Sequence, residues 1–435
     1  MENDAAAVTD HRLAVAPNGK AVAAWLEARQ INDNTTLYSV HARAYSPDTG
    51  WGNSVAFATT GNIGANLPEV VVNANGDAIL LWRQSEVMGN NLAVNTIRYN
   101  AGTGVWDAAP AAVLSDAEAT LYQGYDWINS HHITLDNNGN AFYAFSVSTI
   151  LNAPDGAWVK QYRNGVWSDA VRFLAGASSN AKDLQLAAAP DGRTATAIWK
   201  QFENNANKFR MLASEYREGS GWTTGHEIDG DLVKSFGSTK IAIAANGDTT
   251  AVWEGSSDVG GSRFYAARLS NGAWSAPVTV GNTRPVIAFD SIAGLCSDAA
   301  GNAVLVTLPS QITAIRFTVD QGWQAPVDIP PAEQSYISPQ ASVACNTKGD
   351  AMVSYRAALG ANNSYDLWAR PFSATSGWGT AAQIVSLGGP AGMLTLSTPV
   401  VGVDDSFRAL TLWRQDQQSG SGLNKPRDLW SATYK

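Results

Sequence analysis

A tight turn followed by an aromatic residue recurs along the chain, and this internal repeat limits the possible folds more than any other feature. Seven copies are evident, from APNGKAVAAW to NTKGDAMVSY, and a degenerate eighth reads VDDSFRALTLW. Successive copies are mostly 54 to 58 residues apart, so eight related units follow one another. The aromatic position is occupied by Trp25, Trp82, Phe145, Trp199, Trp253, Thr307, Tyr355 and Trp413.

Each unit contains four short alternating runs, and a second tryptophan marks the start of the fourth run. Asn-Gly or Asp-Gly joins the first two runs in five copies, a dipeptide that accepts the positive φ of a type I′ hairpin turn. The sequence therefore predicts an all-β protein, a single eight-bladed β-propeller of four-stranded antiparallel blades, spanning residues 1–435 with repeats of roughly 48–63 residues. The second marker falls at Trp51, Trp106, Trp167, Trp222, Trp274, Trp323 and Trp378.

The eighth repeat ends one strand short, because the second marker has seven copies and the first has eight. The N-terminal stretch ENDAAAV aligns with WSDAVRF, a fourth strand, although Glu2 stands where the other copies have tryptophan. We expect residues 1–10 to form the closing strand of blade 8, because an open ring would leave an unpaired strand edge.

The twelve periodic tryptophans are expected to fill the wedges between neighbouring blades, since the repeat alone accounts for them. The four tryptophans outside the pattern are Trp127, Trp158, Trp368 and Trp430. The last three are predicted on third strands, where packing is the favoured role.

Charge and hydropathy exclude several classes of function. The net charge is −9, and no cluster of Lys and Arg provides the basic stripe of a nucleic-acid or anionic-membrane surface. No apolar run approaches the ~20 residues that cross a bilayer. Because strand-like sequence follows Met1 directly, we expect that a natural leader has been removed from this chain.

The two cysteines exclude a disulfide framework and a Cys-based zinc site. Cys296 and Cys345 lie near the ends of first strands in neighbouring blades. A one-position difference in register would place them on facing blade surfaces and able to bridge, whereas one extra turn residue in blade 6 would make their positions equivalent and point both the same way round the ring. Free, buried thiols are the favoured expectation.

The pattern D-x-x-G-N-A-x-x-x-W followed by G-W-S-x-A-x-x-V resembles the repeats of secreted and lipid-anchored bacterial propeller proteins. The resemblance covers the whole chain and concerns the fold. Propellers of this kind include lectins, glycosidases and polysaccharide lyases, so the resemblance implies a secreted, periplasmic or cell-surface protein without fixing its activity.

A ligand site is expected on the face that carries the loops from second to third strands and from blade to blade. The polar residues that follow the second-strand aromatic point to that face, although a solvated rim would look the same. They are Glu27, Arg83, Gln84, Lys200, Gln201, Glu254, Arg356, Arg414 and Gln415.

The connection into blade 3, LYQGYDWINSHHITLD, departs most strongly from the repeat. Its aromatic rings carry polar groups, and such rings are suited to stacking on sugar rings. Alternatively, Trp127 and a tyrosine plug the channel, and His132 makes its hydrogen bonds within the inner strand. The adjacent imidazoles would point to opposite faces of an extended strand. The chemistry-bearing residues of this insertion are Tyr122, Tyr125, Trp127, His131 and His132.

Aligned first strands place eight residues at one level, where they line either a ligand-binding channel mouth or a water-filled channel. The expected ligand contacts come from this level, from the blade 3 insertion and from other rim positions; they are Arg12, Glu69, Lys240, Tyr122, Trp127, His131, Arg83, Lys200 and Arg356. The aligned residues are Arg12, Glu69, His132, Gln185, Lys240, Ala293, Ser342 and Val400.

Motif chemistry gives little direct evidence for catalysis. The segment DNNGN, residues 136–140, faintly resembles a calcium loop but coincides with a repeat turn and is interpreted as a turn. The favoured hypothesis is a monomer that binds a glycan or surface partner without catalysis, cofactor or metal. The alternative is a lyase that cleaves a uronic-acid polymer by β-elimination, with His132 or Tyr125 as base and an Arg or Lys stabilising the developing charge.

Overall fold

The protein is an eight-bladed β-propeller built from eight small antiparallel sheets. The repeat prediction is therefore confirmed. The computed structural model describes residues 7–32, 35–57, 63–86, 93–121, 128–147, 156–173, 181–203, 208–230, 235–256, 262–281, 292–308, 311–329, 334–359, 365–385, 396–416 and 427–434.

The chain divides into two compact units of four blades each. Unit 1 comprises Met1–Asp126, Pro330–Asn346 and Asp350–Lys435 and contains blades 1, 2, 7 and 8. Unit 2 comprises Trp127–Ile329 and Thr347–Gly349 and contains blades 3 to 6. The expectation of one domain over residues 1–435 stays a prediction.

The strands of unit 1 follow the predicted order. Blade 1 has strands Val8–Val15, Ala21–Asn32, Thr35–Ser46, Gly50–Trp51 and Val55–Phe57. Blade 2 has Ile63–Val72, Ala78–Glu86, Ala93–Asn100, Val105–Trp106 and Ala111–Ala112. Blade 7 has Gln334–Cys345, Ala351–Leu359, Tyr365–Ser373, Gly377–Trp378 and Ala382–Val385, and blade 8 has Val400–Val403, Ala409–Asp416 and Arg427–Tyr434.

Unit 2 repeats the same arrangement. Blade 3 has Ile128–Leu135, Ala141–Val147, Gly156–Arg163, Val166–Trp167 and Val171–Arg172. Blade 4 has Ala181–Ala188, Thr194–Glu203, Lys208–Arg217, Gly221–Trp222 and His226–Glu227. Blade 5 has Ser235–Ile243, Thr249–Ser256, Ser262–Ser270, Ala273–Trp274 and Val278–Val280, and blade 6 has Ile292–Ser297, Ala303–Thr307, Thr313–Thr318, Gly322–Trp323 and Val327–Asp328.

A short helix, Asp116–Leu121, follows blade 2 and was not predicted. The sequence does carry its signal, a capping box in Ser-Asp-Ala-Glu. The Ser115 hydroxyl accepts the Glu118 N–H at 3.3 Å, and the Glu118 carboxylate accepts the Ser115 N–H at 2.8 Å. Among the described residues, no helix has the length and apolar character needed to span a membrane.

Each blade has an inner, a second and a third strand, and in seven blades an outer strand broken into two short pieces that both pair with the third. In blade 1, Trp51 of the first outer piece pairs with Tyr45, and Val55 of the second pairs with Ala42. Hairpin turns from inner to second strand mark the turn-bearing end of a blade. The opposite end, where second strands finish and inner strands begin, is called the loop-bearing end.

The second-strand aromatics fill the seams between neighbouring blades, as predicted. In unit 1 Trp25 is fully buried in a cluster with Val8, Leu412 and Leu429, which joins blade 8 to blade 1. In unit 2 the buried Trp199 stacks on Phe173 with ring centroids 5.3 Å apart. These apolar contacts supply the hydrophobic burial that holds successive blades together.

The turns of the repeat close through complementary polar pairs. Asp136 accepts the backbone N–H groups of Asn138 and Asn140 at 2.8 and 2.7 Å and the Asn140 side-chain amide at 2.8 Å. The pair is reversed in blade 7, where Asn346 and Asp350 bond at 3.0 Å. The Asp136 carboxylate is thus occupied by its own turn, which confirms the interpretation of DNNGN as a turn.

Blade 8 contributes three strands to the described part of the chain. Residues 1–6 of the expected closing strand lie outside the described residues. The last part of that segment belongs to blade 1, because the Ala7 carbonyl accepts the Ala28 N–H at 3.0 Å and Val8 pairs with Glu27. The inner strand of blade 1 therefore begins at Val8, and the closing-strand prediction now concerns residues 1–6.

The expectation of free thiols is wrong: Cys296 and Cys345 are both disulfide-bonded, and the chain has no third cysteine. Cys345 pairs with Ala351, the first residue of its second strand, whereas Cys296 pairs with Val304, the second residue of its own. The one-position difference in register gives the two side chains opposite faces of their blades, which is the arrangement that permits a bridge.

The seam between blades 8 and 1 provides a test of the packing. Leu412→Ala should lower the free energy of unfolding by about 2–5 kcal/mol, because it leaves a cavity beside the buried Trp25. Chemical denaturation monitored by tryptophan fluorescence measures the change. Val105→Ala, at an exposed position, should change stability by less than about 0.5 kcal/mol. Equal, small effects of both substitutions would contradict this packing.

Candidate functional site

The strand register confirms seven of the eight residues predicted at one inner-strand level. Each pairs with the residue that precedes the second-strand aromatic, as Arg12 does with Ala24 and Gln185 with Ile198. In blade 6 that partner is Val306, and it pairs with Gly294 instead of Ala293. Ala293 is the extra residue of a β-bulge, which the sequence alignment could not detect.

Bulges interrupt the inner strand near the loop-bearing end of seven blades. In blades 1 and 4 the bulge contains an aspartate with positive φ, +47° at Asp10 and +48° at Asp183. A non-glycine residue pays a conformational cost in this left-handed region, and bulges commonly redirect a side chain. The two blades thus share a strained carboxylate at an equivalent position.

Each of these carboxylates is paired with a cation of its own blade. Asp10 contacts the Arg12 guanidinium at 2.7 Å, with the two side chains 30% and 41% exposed. Asp183, 46% exposed, pairs with Lys200, whose ammonium also donates to the Gly237 carbonyl at 3.0 Å. In both pairs a solvent-borne ligand can reach the carboxylate, whereas the cation is partly exposed in Arg12 and nearly buried in Lys200.

The surroundings of Lys200 continue into blade 5. Glu254 is buried and its carboxylate lies against the backbone of Gly237, where a Cβ atom would not fit. The Lys200 side chain is nearly buried. Its ammonium is held in place by Asp183 and by the Gly237 carbonyl. The sequence predicts Lys200 and Glu254 at this face, but it does not predict that the Gly237 carbonyl and Asp183 contact Lys200.

The two adjacent histidines of blade 3 have different surroundings, as their alternation predicted. His131 is buried and meets the edge of the Tyr143 ring at 6.1 Å, which makes it part of the blade wall. His132 lies at the inner-strand level, with its Nε2 atom 3.3 Å from Nε2 of Gln185 in blade 4. Tyr122, Tyr125 and Trp127 lie outside the described residues, so their proposed part in a site stays a prediction.

Arginines converge on the inner strands of unit 1. Arg356 donates to the Leu396 carbonyl at 2.6 Å. The buried His11 has its Nε2 atom 3.2 Å from the Thr398 carbonyl. Burial, together with the positive charges of Arg12 and Arg414, lowers the pKa of His11 to about 4. His11 is therefore neutral in the folded protein at ordinary pH.

The predicted contact residues Arg83, Glu69 and Lys240 differ in burial. Arg83 is buried and pairs across the sheet with Asn66, whereas Glu69 and Lys240 are partly exposed at the inner-strand level. Their part in ligand binding stays a prediction, as it does for Arg12, His131, Lys200 and Arg356.

In blades 1 and 4, the polar residue two positions after the second-strand tryptophan accepts a hydrogen bond from the indole N–H of that tryptophan. Trp25 donates to Glu27 at 2.9 Å, and Trp199 donates to Gln201 at 3.2 Å. Glu27 also contacts Nε2 of His41 at 3.1 Å, and the Ser39 hydroxyl lies 2.9 Å from the same nitrogen. A catalytic triad uses both ring nitrogens, so this Ser-His-Glu group is a structural brace.

A buried carboxyl group, that of Asp229, lies beside the exposed Glu227 carboxyl at the outer edge of blade 4. Asp229 is fully buried, and its pKa is raised to about 7, first by burial and then by the neighbouring Glu227 carboxyl. Arg210 donates to Glu227 at 3.0 Å and partly offsets that charge. Within the described ranges, no three His, Cys, Asp or Glu side chains are grouped to hold a metal ion.

Comparison with known proteins gives similarities of fold. No family model matches the chain, and no curated protein matches it. A protein of unknown function from Dyadobacter fermentans is 14% identical, with a TM-score of 0.41, over 86% of this chain and 94% of that one. The GH93 α-L-arabinofuranosidase of Fusarium graminearum, solved with arabinobiose, is 13% identical, with a TM-score of 0.45, over 72% and 94%.

A mutant of AofleA from Arthrobotrys oligospora is 11% identical, with a TM-score of 0.43, over 88% of this chain and 87% of that one. Identities this low carry no information about a shared activity. Function therefore has to be argued from the side chains of this chain.

The neutral state of His11 predicts a pH dependence of stability. The unfolded chain binds a proton on this histidine near pH 6.5, and the folded chain only near pH 4. Between these values the unfolded state holds more protons, so stability should fall as the pH drops from 6.5 to 4, by up to about 3 kcal/mol.

Urea unfolding at pH 7 and pH 5 measures this effect in the wild type and in His11→Gln, which should lose a large part of the slope. His226→Gln, at a half-exposed position, is the matched control and should keep it. The assignment fails if the pH slope of His11→Gln equals that of the wild type.

Proposed function

We propose that the protein binds a glycan at its loop-bearing end without catalysing a reaction on it. The observation that carries the proposal is the pair of strained aspartates, Asp10 and Asp183, each held beside a cation. Sterically costly conformations persist where the surrounding structure enforces them, and they concentrate at functional sites. The same device in two blades favours a function that repeats around the fold.

The chemistry of these pairs suits sugar hydroxyls. A carboxylate accepts hydrogen bonds from two adjacent hydroxyl groups, and a lysine or arginine beside it donates to their oxygens. Asp10, Arg12 and Asp183 are partly exposed, and all the side chains of the two pairs are already fixed by their ion pairs, so a ligand does not have to order them. Tyr122, Tyr125 and Trp127, in the connection into blade 3, are the aromatic platforms that we assign to the same ligand.

The placement of the candidate bases favours binding over chemistry. A β-elimination needs a base beside the sugar and a cation that meets the developing charge. His132 contacts Gln185, a neutral side chain, and Lys200 is engaged by Asp183 and the Gly237 carbonyl. The candidate base and this candidate cation are thus each engaged by neighbouring groups of the fold, which favours the binding hypothesis.

We further propose that the protein works as a monomer in an oxidising compartment, secreted, periplasmic or at the cell surface. The disulfide-bonded state of Cys296 and Cys345 supports this location, because disulfides persist outside the reducing cytosol. A glycan ligand is consistent with the same location.

The aspartate bulge can be tested with a substitution that relieves its strain. Asp183→Gly removes the carboxylate and allows positive φ freely, so relief of backbone strain offsets part of the lost ion pair to Lys200, and the melting temperature should fall only slightly. Binding on a glycan array should fall at least about tenfold, through loss of two hydrogen bonds worth about 1 kcal/mol or more each.

Asn164→Gly is the matched control, since Asn164 also has positive φ, +51°, but lies in a turn at the opposite end of its blade. It should leave binding unchanged. Unaltered glycan binding by Asp183→Gly, or the release of unsaturated ends from a uronic-acid polymer by the wild type, would overturn the proposal.

A further inference from the structure

A cavity of about 470 Å³ opens at the turn-bearing end of unit 2, in the seam between blades 4 and 5. Blade 4 contributes Thr194, Thr196, Glu215 and Arg217, and blade 5 contributes two turns, residues 246–248 and 270–272. The volume lies within the range of small-molecule sites, about 300–1,000 Å³. The cavity is at the opposite end of these blades from Asp183 and Lys200.

Blade 4 carries a one-residue insertion beside this opening. The step from the turn glycine to the aromatic is seven residues in blade 4, from Gly192 to Trp199, and six in the other copies. The additional residue, Arg193, is 73% exposed and contacts Glu218 of its own blade at 3.6 Å. The short Thr194 consequently occupies the register position that Lys20 has in blade 1.

Long cations occupy the equivalent position in two other blades. Lys20 donates to the Ala101 carbonyl of blade 2 at 3.0 Å, and a Cβ on Gly76 would lie 2.6 Å from its stem. Arg408 of blade 8 lies in the same way against Gly19 of blade 1, where a Cβ would be 2.9 Å from its guanidinium. Thr194 likewise meets Gly247 of blade 5, where a Cβ would lie 2.6 Å from its hydroxyl oxygen, but it brings no cationic group into the seam.

Blade 4 also cannot make a backbone hydrogen bond that joins the turns of neighbouring blades elsewhere in the chain. The turn of blade 3 donates from Asn137 to the Pro190 carbonyl at 2.8 Å, and the turn of blade 5 donates from Ala245 to the Ala299 carbonyl at 3.3 Å. The corresponding donor in blade 4 is Pro190, which has no N–H group. Blade 4 therefore cannot make this turn-to-turn hydrogen bond to blade 5.

Polar groups line the cavity, and several of them are fixed by hydrogen bonds. The Glu215 carboxylate accepts the Trp274 indole N–H at 2.6 Å and the Thr223 hydroxyl at 2.9 Å. The Thr196 hydroxyl lies 3.0 Å from that of Thr249 on the floor of the seam. At the mouth, Arg217 reaches across to blade 5, where a Cβ on Gly272 would lie 2.5 Å from its guanidinium.

We infer that this cavity is a binding site for a neutral monosaccharide unit. Sugar hydroxyls both donate and accept, which matches a wall that alternates a carboxylate, hydroxyl groups and a guanidinium. The side chain of Leu269, which also lines the cavity, provides an apolar surface for a C–H face of the ring. The site is independent of the glycan contacts proposed at the loop-bearing end.

The experiment titrates the wild type with D-glucose, D-galactose and D-mannose separately, followed by saturation-transfer NMR and calorimetry. At least one sugar should bind. Thr194→Lys, which reproduces the lysine of blade 1, should weaken that binding at least about tenfold without lowering the melting temperature. Val166→Lys adds the same side chain at an exposed turn of blade 3 and should leave binding intact.

Arg217→Ala supplies a second variant that does not depend on accommodating a new side chain in the seam, and it should also weaken binding. Neither Thr194→Lys nor Arg217→Ala should change the glycan-array binding proposed for the loop-bearing end, which separates the two sites. The inference is overturned if none of the three sugars binds the wild type, or if binding survives both Thr194→Lys and Arg217→Ala.

Discussion

The burial of one large side chain near the end of seven of the eight second strands, with Thr307 in its place in blade 6, is the constraint on which this fold depends. Trp25, Trp199 and Trp253 are fully buried, and Phe145 and Tyr355 fill the same position in their blades. A four-stranded blade is too small to bury such a residue alone, so it must pack against a neighbour. The repeat of this residue therefore determines both the number of blades and their packing.

Rigid blades allow strain to be concentrated at the loop-bearing end. The second strand is held by apolar contacts on both faces, and the bulge of the inner strand lies opposite its aromatic residue. Packing around Trp199 thus stabilises the positive-φ backbone conformation of Asp183, and packing around Trp25 stabilises that of Asp10. The indole N–H groups of both tryptophans bond to Glu27 and Gln201, so part of the polar rim is structural.

The sequence predicted the features that recur from repeat to repeat. It did not predict the features in which one blade differs from the others by a single residue. Blade number, strand order, turn positions and the seam tryptophans follow from local patterns that repeat eight times. The bulge that displaces Ala293 from the inner-strand level leaves no compositional mark, because one extra residue in a strand looks like ordinary sequence. The same limit applies to Asp10 and Asp183, whose positive φ values depend on the register with the second strand.

The cysteines and the cavity illustrate the other limit. The sequence left open whether Cys296 and Cys345 differ in register, and the strand pairing establishes that they do. The cavity of blade 4 lies beside an insertion before Trp199 that the sequence shows, but its lining comes from residues of two blades that the fold brings together. Both features required coordinates.

The proposed glycan site is tested most directly by hydrogen–deuterium exchange of the wild type with and without the tightest ligand of a glycan array. The account predicts slower exchange in the inner strands around residues 8–12 and 181–185, where the two aspartate bulges lie. Protection confined to the turn-bearing ends of the blades, with no change at either bulge, would contradict it.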